Sequence, residues 1–118
     1  MSNHHLRICS EMDKRVIPNL TFIRYIGDIQ EKKHLKDIIR VSTSEEIRAL
    51  LEIIVNCLEG RLAGKIIDFK RLEKYKGKLL NICNIQQDID SKKNLLSINI
   101  RAVQLILTAA AYFIHSLS

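Results

Sequence analysis

Between Thr43 and Gly60 the apolar residues Ile47, Leu50, Leu51, Ile54 and Leu58 recur at intervals of three and four, a spacing that places them on one face only in a helix. The segment also begins and ends as helices do. Ser42 and Thr43 each stand three residues before a glutamate, Glu45 and Glu46, and Gly60 follows where a C-terminus tolerates positive φ. A helix over about 44–59 is predicted. The remaining chain offers little to interrupt further helices, with one proline and four glycines in 118 residues and no convincing strand alternation. The expected fold is all-α: a compact bundle of five or six short helices, closed by an apolar C-terminal helix.

Pro18 suits the first turn of a helix carrying Leu20, Ile23 and Ile26, which Gly27 would end. A second helix is expected to start at Asp28, with Glu31 completing a capping box and Leu35, Ile38 and Ile39 facing inward. After a loop around Leu62 to Lys65, a helix near 67–82 places Phe69, Leu72, Tyr75, Leu79, Leu80 and Cys83 on one arc. Lys70, Arg71, Lys74 and Lys78 fall on the opposite arc. Lys76 lies on the apolar side, where its stem must snorkel, and Gly77 weakens the helix by about 1 kcal/mol relative to alanine. A short turn capped by Asp90 or Ser91 runs to Leu96, and the last helix covers about 99–117. Its broad apolar face comprises Val103, Ile106, Leu107, Ala110, Phe113, Ile114 and Leu117, with Gln104, Thr108 and His115 behind.

A chain of this length buries roughly two thirds of its unfolded surface and folds as one domain. Residues 16–118 are assigned to that domain and 1–15 to an N-terminal segment. Residues 102–118 carry no Asp, Glu, Lys or Arg, yet these 17 residues fall short of the ~20 predominantly apolar residues of a span. The last helix is therefore expected to be a bundle helix rather than a transmembrane anchor. Cys9, Cys57 and Cys83 are odd in number and sit beside apolar runs, as buried free thiols of a reducing compartment do. The first residues lack an apolar signal core, and an intracellular location is expected.

Charge separates the two halves. Residues 1–60 hold nine basic and nine acidic side chains, whereas 61–118 hold ten and four, so the second half carries the net charge of +6. That asymmetry favours an anionic partner. Lys70, Lys74 and Lys78, with Arg71, form a stripe about 12 Å long at 1.5 Å rise per residue, long enough to meet several duplex phosphates. Lys92 and Lys93 complete the candidate nucleic-acid-binding set. No aromatic falls on that basic arc, so duplex phosphate rather than stacked single-strand bases is the expected contact.

The run Glu46-Ile-Arg-Ala-Leu-Leu-Glu-Ile-Ile-Val-Asn-Cys-Leu-Glu-Gly60, the basic Lys70-Arg-Leu-Glu-Lys-Tyr-Lys-Gly-Lys-Leu-Leu80, the turn Ser91-Lys-Lys-Asn-Leu-Leu96 and the apolar C-terminus resemble the small basic proteins of Maverick/Polinton elements and their adintovirus-like relatives. The resemblance spans roughly Val16 to Leu117. It implies a core-protein role, neutralising DNA in a nucleus or virion, as in the adenovirus core protein pX, or a membrane-active capsid role. Where those proteins carry Gln-(Lys/Arg)-Gly-Gly-Phe, this chain has Ser97-Ile-Asn-Ile-Arg101, which implies a tail fused into a continuous helix.

Other chemistries lack a signature. His4 and His5 have no convergent ligands at metal spacing, no Gly-rich phosphate loop or nucleophile motif occurs, and neither enzyme activity nor a cofactor is expected. The alternative to nucleic-acid binding is a helical interaction module, a homodimer or a holder of a protein partner, with membrane-surface activity through the C-terminal helix as a further option. Its contacts would centre on Leu105 and Tyr112 of the last helix.

Overall fold

The structure is a computed structural model that describes residues 15–59 and 69–116, with side chains at 15–59 and 73–111. Six α-helices occur among these residues: α1 (Leu20–Gly27), α2 (Lys32–Val41), α3 (Ser44–Leu58), α4 (Phe69–Asn84), α5 (Ile89–Ile98) and α6 (Ile100–Ser116). A 3-10 turn at Ile17–Asn19, with Pro18 in its first turn, leads into α1. The expected all-α bundle of short helices is the observed fold.

Helix α3 starts where its cap chemistry directs. Thr43 accepts a hydrogen bond from the Glu46 N–H at 3.1 Å, and the Glu46 carboxylate accepts from the Thr43 N–H at 2.9 Å. Two of the four orphan donors at the helix start are thereby satisfied. Ser42, the competing start, turns its hydroxyl back to the Ile38 carbonyl at 2.6 Å and so closes α2 instead.

Two expected starts move. Asp28 does not open α2: its backbone remains helical (φ −92°, ψ −8°) and its N–H donates to Tyr25 at 3.2 Å, closing α1. Glu31 then becomes the extended N-cap of α2 without a side-chain cap bond. Likewise α5 is capped by Asp88, whose carboxylate accepts from the Ser91 N–H at 2.8 Å, and Asp90 and Ser91 lie inside the first turn.

Helices α3 and α6 form the centre. α3 packs on α1, α4, α5 and α6, and α6 touches every other helix. Ile47, Leu50, Leu51, Ile54 and Leu58 from α3 are buried together with Leu79, Val103, Ile106, Leu107 and Ala110, as the spacing predicts. Leu72 lies outside the residues with described side chains. Ile53 of α3 and Ile82 of α4 join the core as well. Val16 is buried, and Arg15, assigned from sequence to the N-terminal segment, pairs with Glu52 of α3 at 3.0 Å.

The join between α5 and α6 corrects the continuous helix implied by the absent Gly-Gly pair. The two helices meet at 89°. Asn99 makes this corner by donating its side-chain amide to Leu95 at 2.9 Å, while its carbonyl accepts from the N–H groups of Ala102 and Val103. One residue thus ends one helix and starts the next, which accounts for a sharp turn without glycine.

Candidate nucleic-acid interface

Helix α4 carries the basic stripe because its buried side is narrow. Leu79 and Ile82 are buried and Tyr75, Leu80 and Cys83 half-buried, leaving Lys74 and Lys78 exposed on one flank. Lys76, at 100° steps on the other flank, is exposed rather than laid along apolar surface. Lys70 and Arg71 belong to the first turn of α4, and their side chains lie outside the described set.

The described ion pairs involve arginines of the first half of the chain, where Lys32, Lys33 and Lys36 of α2 are nevertheless exposed without a described carboxylate at ion-pair distance. Arg15 pairs with Glu52, Arg40 with Asp37 at 3.1 Å and Arg48 with Glu45 at 3.2 Å, all in the first half of the chain. Among the described residues, Lys74, Lys76, Lys78 and Arg101 have no carboxylate at ion-pair distance. Their charge is therefore left to solvent, or to an anion.

Lys92 and Lys93 are placed differently. Both are half-buried on α5, and their ammonium groups are spent on the ends of two other helices. Lys92 donates to the Cys83 carbonyl in the last turn of α4 at 3.3 Å. Lys93 donates to the Arg40 carbonyl in the last turn of α2 at 3.2 Å. Successive helical side chains diverge by about 100°, so neighbours in sequence reach opposite neighbours in space, each meeting the negative end of a helix. Spacing on the parent helix could not reveal this role, which depends on where two other helices stop.

A groove of about 420 Å³ separates α4 from α6, lined by Lys74, Tyr75, Arg101, Gln104, Leu105 and Thr108. The Gln104 side-chain amide donates to the Gln30 carbonyl at 3.0 Å, which fixes one wall. The Lys74 ammonium lies 5.6 Å from the centre of the Tyr75 ring. Tyr75, on the apolar arc by its spacing, packs half-buried against the core, and the Lys74 ammonium reaches over its ring from the neighbouring position. Arg101, exposed at the start of α6, was not anticipated as a partner of the stripe, since only the packing of α6 on α4 brings it there.

A second cleft, about 890 Å³, lies between α3 and the α4–α5 connection. Its ionic groups are mixed, with Arg15, Arg48 and Lys92 beside Glu52 and Asp88. The Asp88 carboxyl is held below its usual range by the hydrogen bonds from Ser91. Such a lining selects no sign of charge.

Of the expected interface residues, Leu105 is half-buried in the α4–α6 groove and Tyr112 lies outside the described side chains. The more exposed apolar groups are elsewhere. Tyr25 of α1 (48% exposed) and Val41 of α2 (71%) line a shallow depression with Pro18, Phe22 and Ile38, while Ile17 (45%) of the 3-10 turn and Ile98 (69%) of α5 are exposed outside its lining. The Tyr25 hydroxyl and His34 Nε2 are 3.3 Å apart, bridging α1 to α2.

No known family model, curated protein or solved structure matches the chain. Among the described residues no single helix is long and apolar enough to cross a membrane; α5 with α6 to Ala111 meets that test by length and composition only as a pair bent at 89°.

Proposed function

We propose that this is a non-enzymatic helical protein that binds nucleic acid without sequence preference through phosphate contacts from the α4 flank. The observation carrying the proposal is that Lys74, Lys78 and Arg101 are exposed without a described carboxylate partner, and that Lys74 and Arg101 come from two helices to line one groove whose described lining holds no acid. Such cations gain by releasing the counterions of a polyanion, a gain that does not depend on base sequence. The resemblance to the small basic Maverick/Polinton proteins points the same way, toward a DNA-associated role in a nucleus or virion. Because Lys92 and Lys93 already serve helix ends, the contact set is Lys74, Lys78 and Arg101, extended by Lys70 and Arg71 at the start of the same stripe.

With roughly three to five contacts, the logarithm of duplex affinity should fall with log salt at a slope between about −3 and −4.5. A mobility-shift titration over salt concentration measures it. Lys74→Glu with Lys78→Glu should abolish the shift and leave helicity and melting temperature nearly unchanged, since exposed charges add little to folding. Failure of the wild type to shift either duplex or single-stranded nucleic acid at low salt would refute the proposal.

A second reading is favoured by the exposed Tyr25 and Val41, which line one depression with Phe22 and Ile38: self-association through the α1–α2 face, because a small helical domain seldom leaves such groups adjacent without use. Sedimentation of the wild type beside Val41→Lys tests it. A concentration-dependent dimer that the substitution dissolves supports this reading, and a monomer throughout the micromolar range removes it.

A further inference from the structure

We propose that the groove between α4 and α6 receives an unstacked base of single-stranded nucleic acid, with Tyr75 as the surface on which the base stacks and Lys74 and Arg101 holding the flanking phosphates. This rests on the nucleic-acid reading above and names the form of nucleic acid that the site prefers.

Three observations converge on it. The described lining of the groove contains two cations and no acid, which selects an anionic occupant. It also contains an aromatic and an aliphatic side chain, both half-buried, so the occupant must carry an apolar face as well as charge. A phosphate backbone with free bases has both properties, and a regular duplex keeps its base faces stacked out of reach. The third observation concerns access. The Lys74 ammonium lies over the Tyr75 ring, 5.6 Å from its centre, so the group covering that face is a solvent-exposed side chain rather than packed core. A base arriving there replaces an exposed cation–π contact and releases the ammonium to the adjoining phosphate. The volume, about 420 Å³, falls within the ~300–1,000 Å³ range of small-ligand clefts, and the fixed Gln104 and the Thr108 hydroxyl offer hydrogen bonds at its wall.

The test compares four probes at one low salt concentration: an oligothymidylate, an abasic strand of equal length, a duplex, and polyglutamate. The wild type should bind the oligothymidylate roughly tenfold more tightly than the abasic strand, the order of one base stacked on an aromatic side chain. Tyr75→Leu should erase that difference and leave abasic and duplex affinities unchanged, whereas Tyr75→Phe should retain it. If the leucine variant loses its fold by circular dichroism, the wild-type comparison of base-bearing and abasic strands, with exposed Arg101→Gln weakening both, still decides the question. Equal binding of oligothymidylate and abasic strand overturns this inference alone and leaves phosphate binding standing. Polyglutamate binding as tightly as the oligothymidylate also overturns it, in favour of an acidic peptide. No binding of either strand or of the duplex defeats it together with the function on which it rests.

Discussion

Burial pushes the Cys57 thiol up from its ordinary 9.0 to about 11 and the Cys83 thiol to about 12. For Cys83 the nearby Lys92 charge opposes that rise, while Glu52 and Glu59 add to it. Both thiols are free, and Cys83 donates weakly to the Leu51 carbonyl at 3.8 Å, which ties α4 to α3. Since the thiolate is the nucleophile, both should alkylate slowly at neutral pH. The same shifts make stability sensitive to alkali. Above about pH 9 the unfolded chain releases thiol protons that the native protein retains until about pH 11 to 12, so the native state becomes less stable as pH rises through that window. Denaturant titrations at neutral pH and near pH 10.5 should show this loss. The thiol part is the difference from a Cys57→Ala, Cys83→Ala variant, whose decline should be shallower.

Helix α4 shows both what local pattern reveals and where it ends. Its spacing alone separates Leu79 and Cys83 from Lys74 and Lys78, because 100° per residue fixes relative direction before any partner is known. Gly77 within it is exposed, and a Cβ added there would meet nothing within 4 Å. Gly77→Ala should therefore stabilise the protein by about 1 kcal/mol, the propensity difference for an exposed helix interior, measurable by urea titration. The capping box of α3 was legible for the same local reason, since Thr43 and Glu46 need only each other. What stayed hidden depends on neighbours. Asp28 carries a valid capping pattern that loses to the closing turn of α1, and Asp88 takes the role that Asp90 and Ser91 also fit. Lys92 and Lys93 read as free charge until the ends of α4 and α2 are placed beside them. Arg101 and Tyr75 become one groove only when α6 packs on α4. The right-angle corner is hidden where a hinge is sought only in glycine, because Asn99 ends α5 with a side-chain amide and starts α6 with its carbonyl.

At the scale of the whole molecule, the core depends on α3 and α6 meeting, and Ile106 is fully buried in that cluster. Ile106→Ala should lower unfolding free energy by about 2 to 5 kcal/mol, as truncations in packed cores do, with the loss read from chemical denaturation. The two lysines of α5 bear on a different property of the assembled bundle. Their bonds leave the helix in diverging directions, so turning α5 about its own axis in either sense must stretch or break at least one of them. They act as guy-lines on its azimuth. A guy-line shows its effect in fluctuations more than in mean stability, because an exposed or half-buried lysine bond adds little free energy yet limits a soft rotational mode. Hydrogen-exchange mass spectrometry on Lys92→Met, Lys93→Met should therefore find faster amide exchange in the last turns of α2 and α4 and along α5, while α3 keeps its protection. The paired lysines would thus link the ends of α2 and α4 through α5, so that fluctuations at those two ends are correlated in the wild type and independent once the ammonium groups are removed.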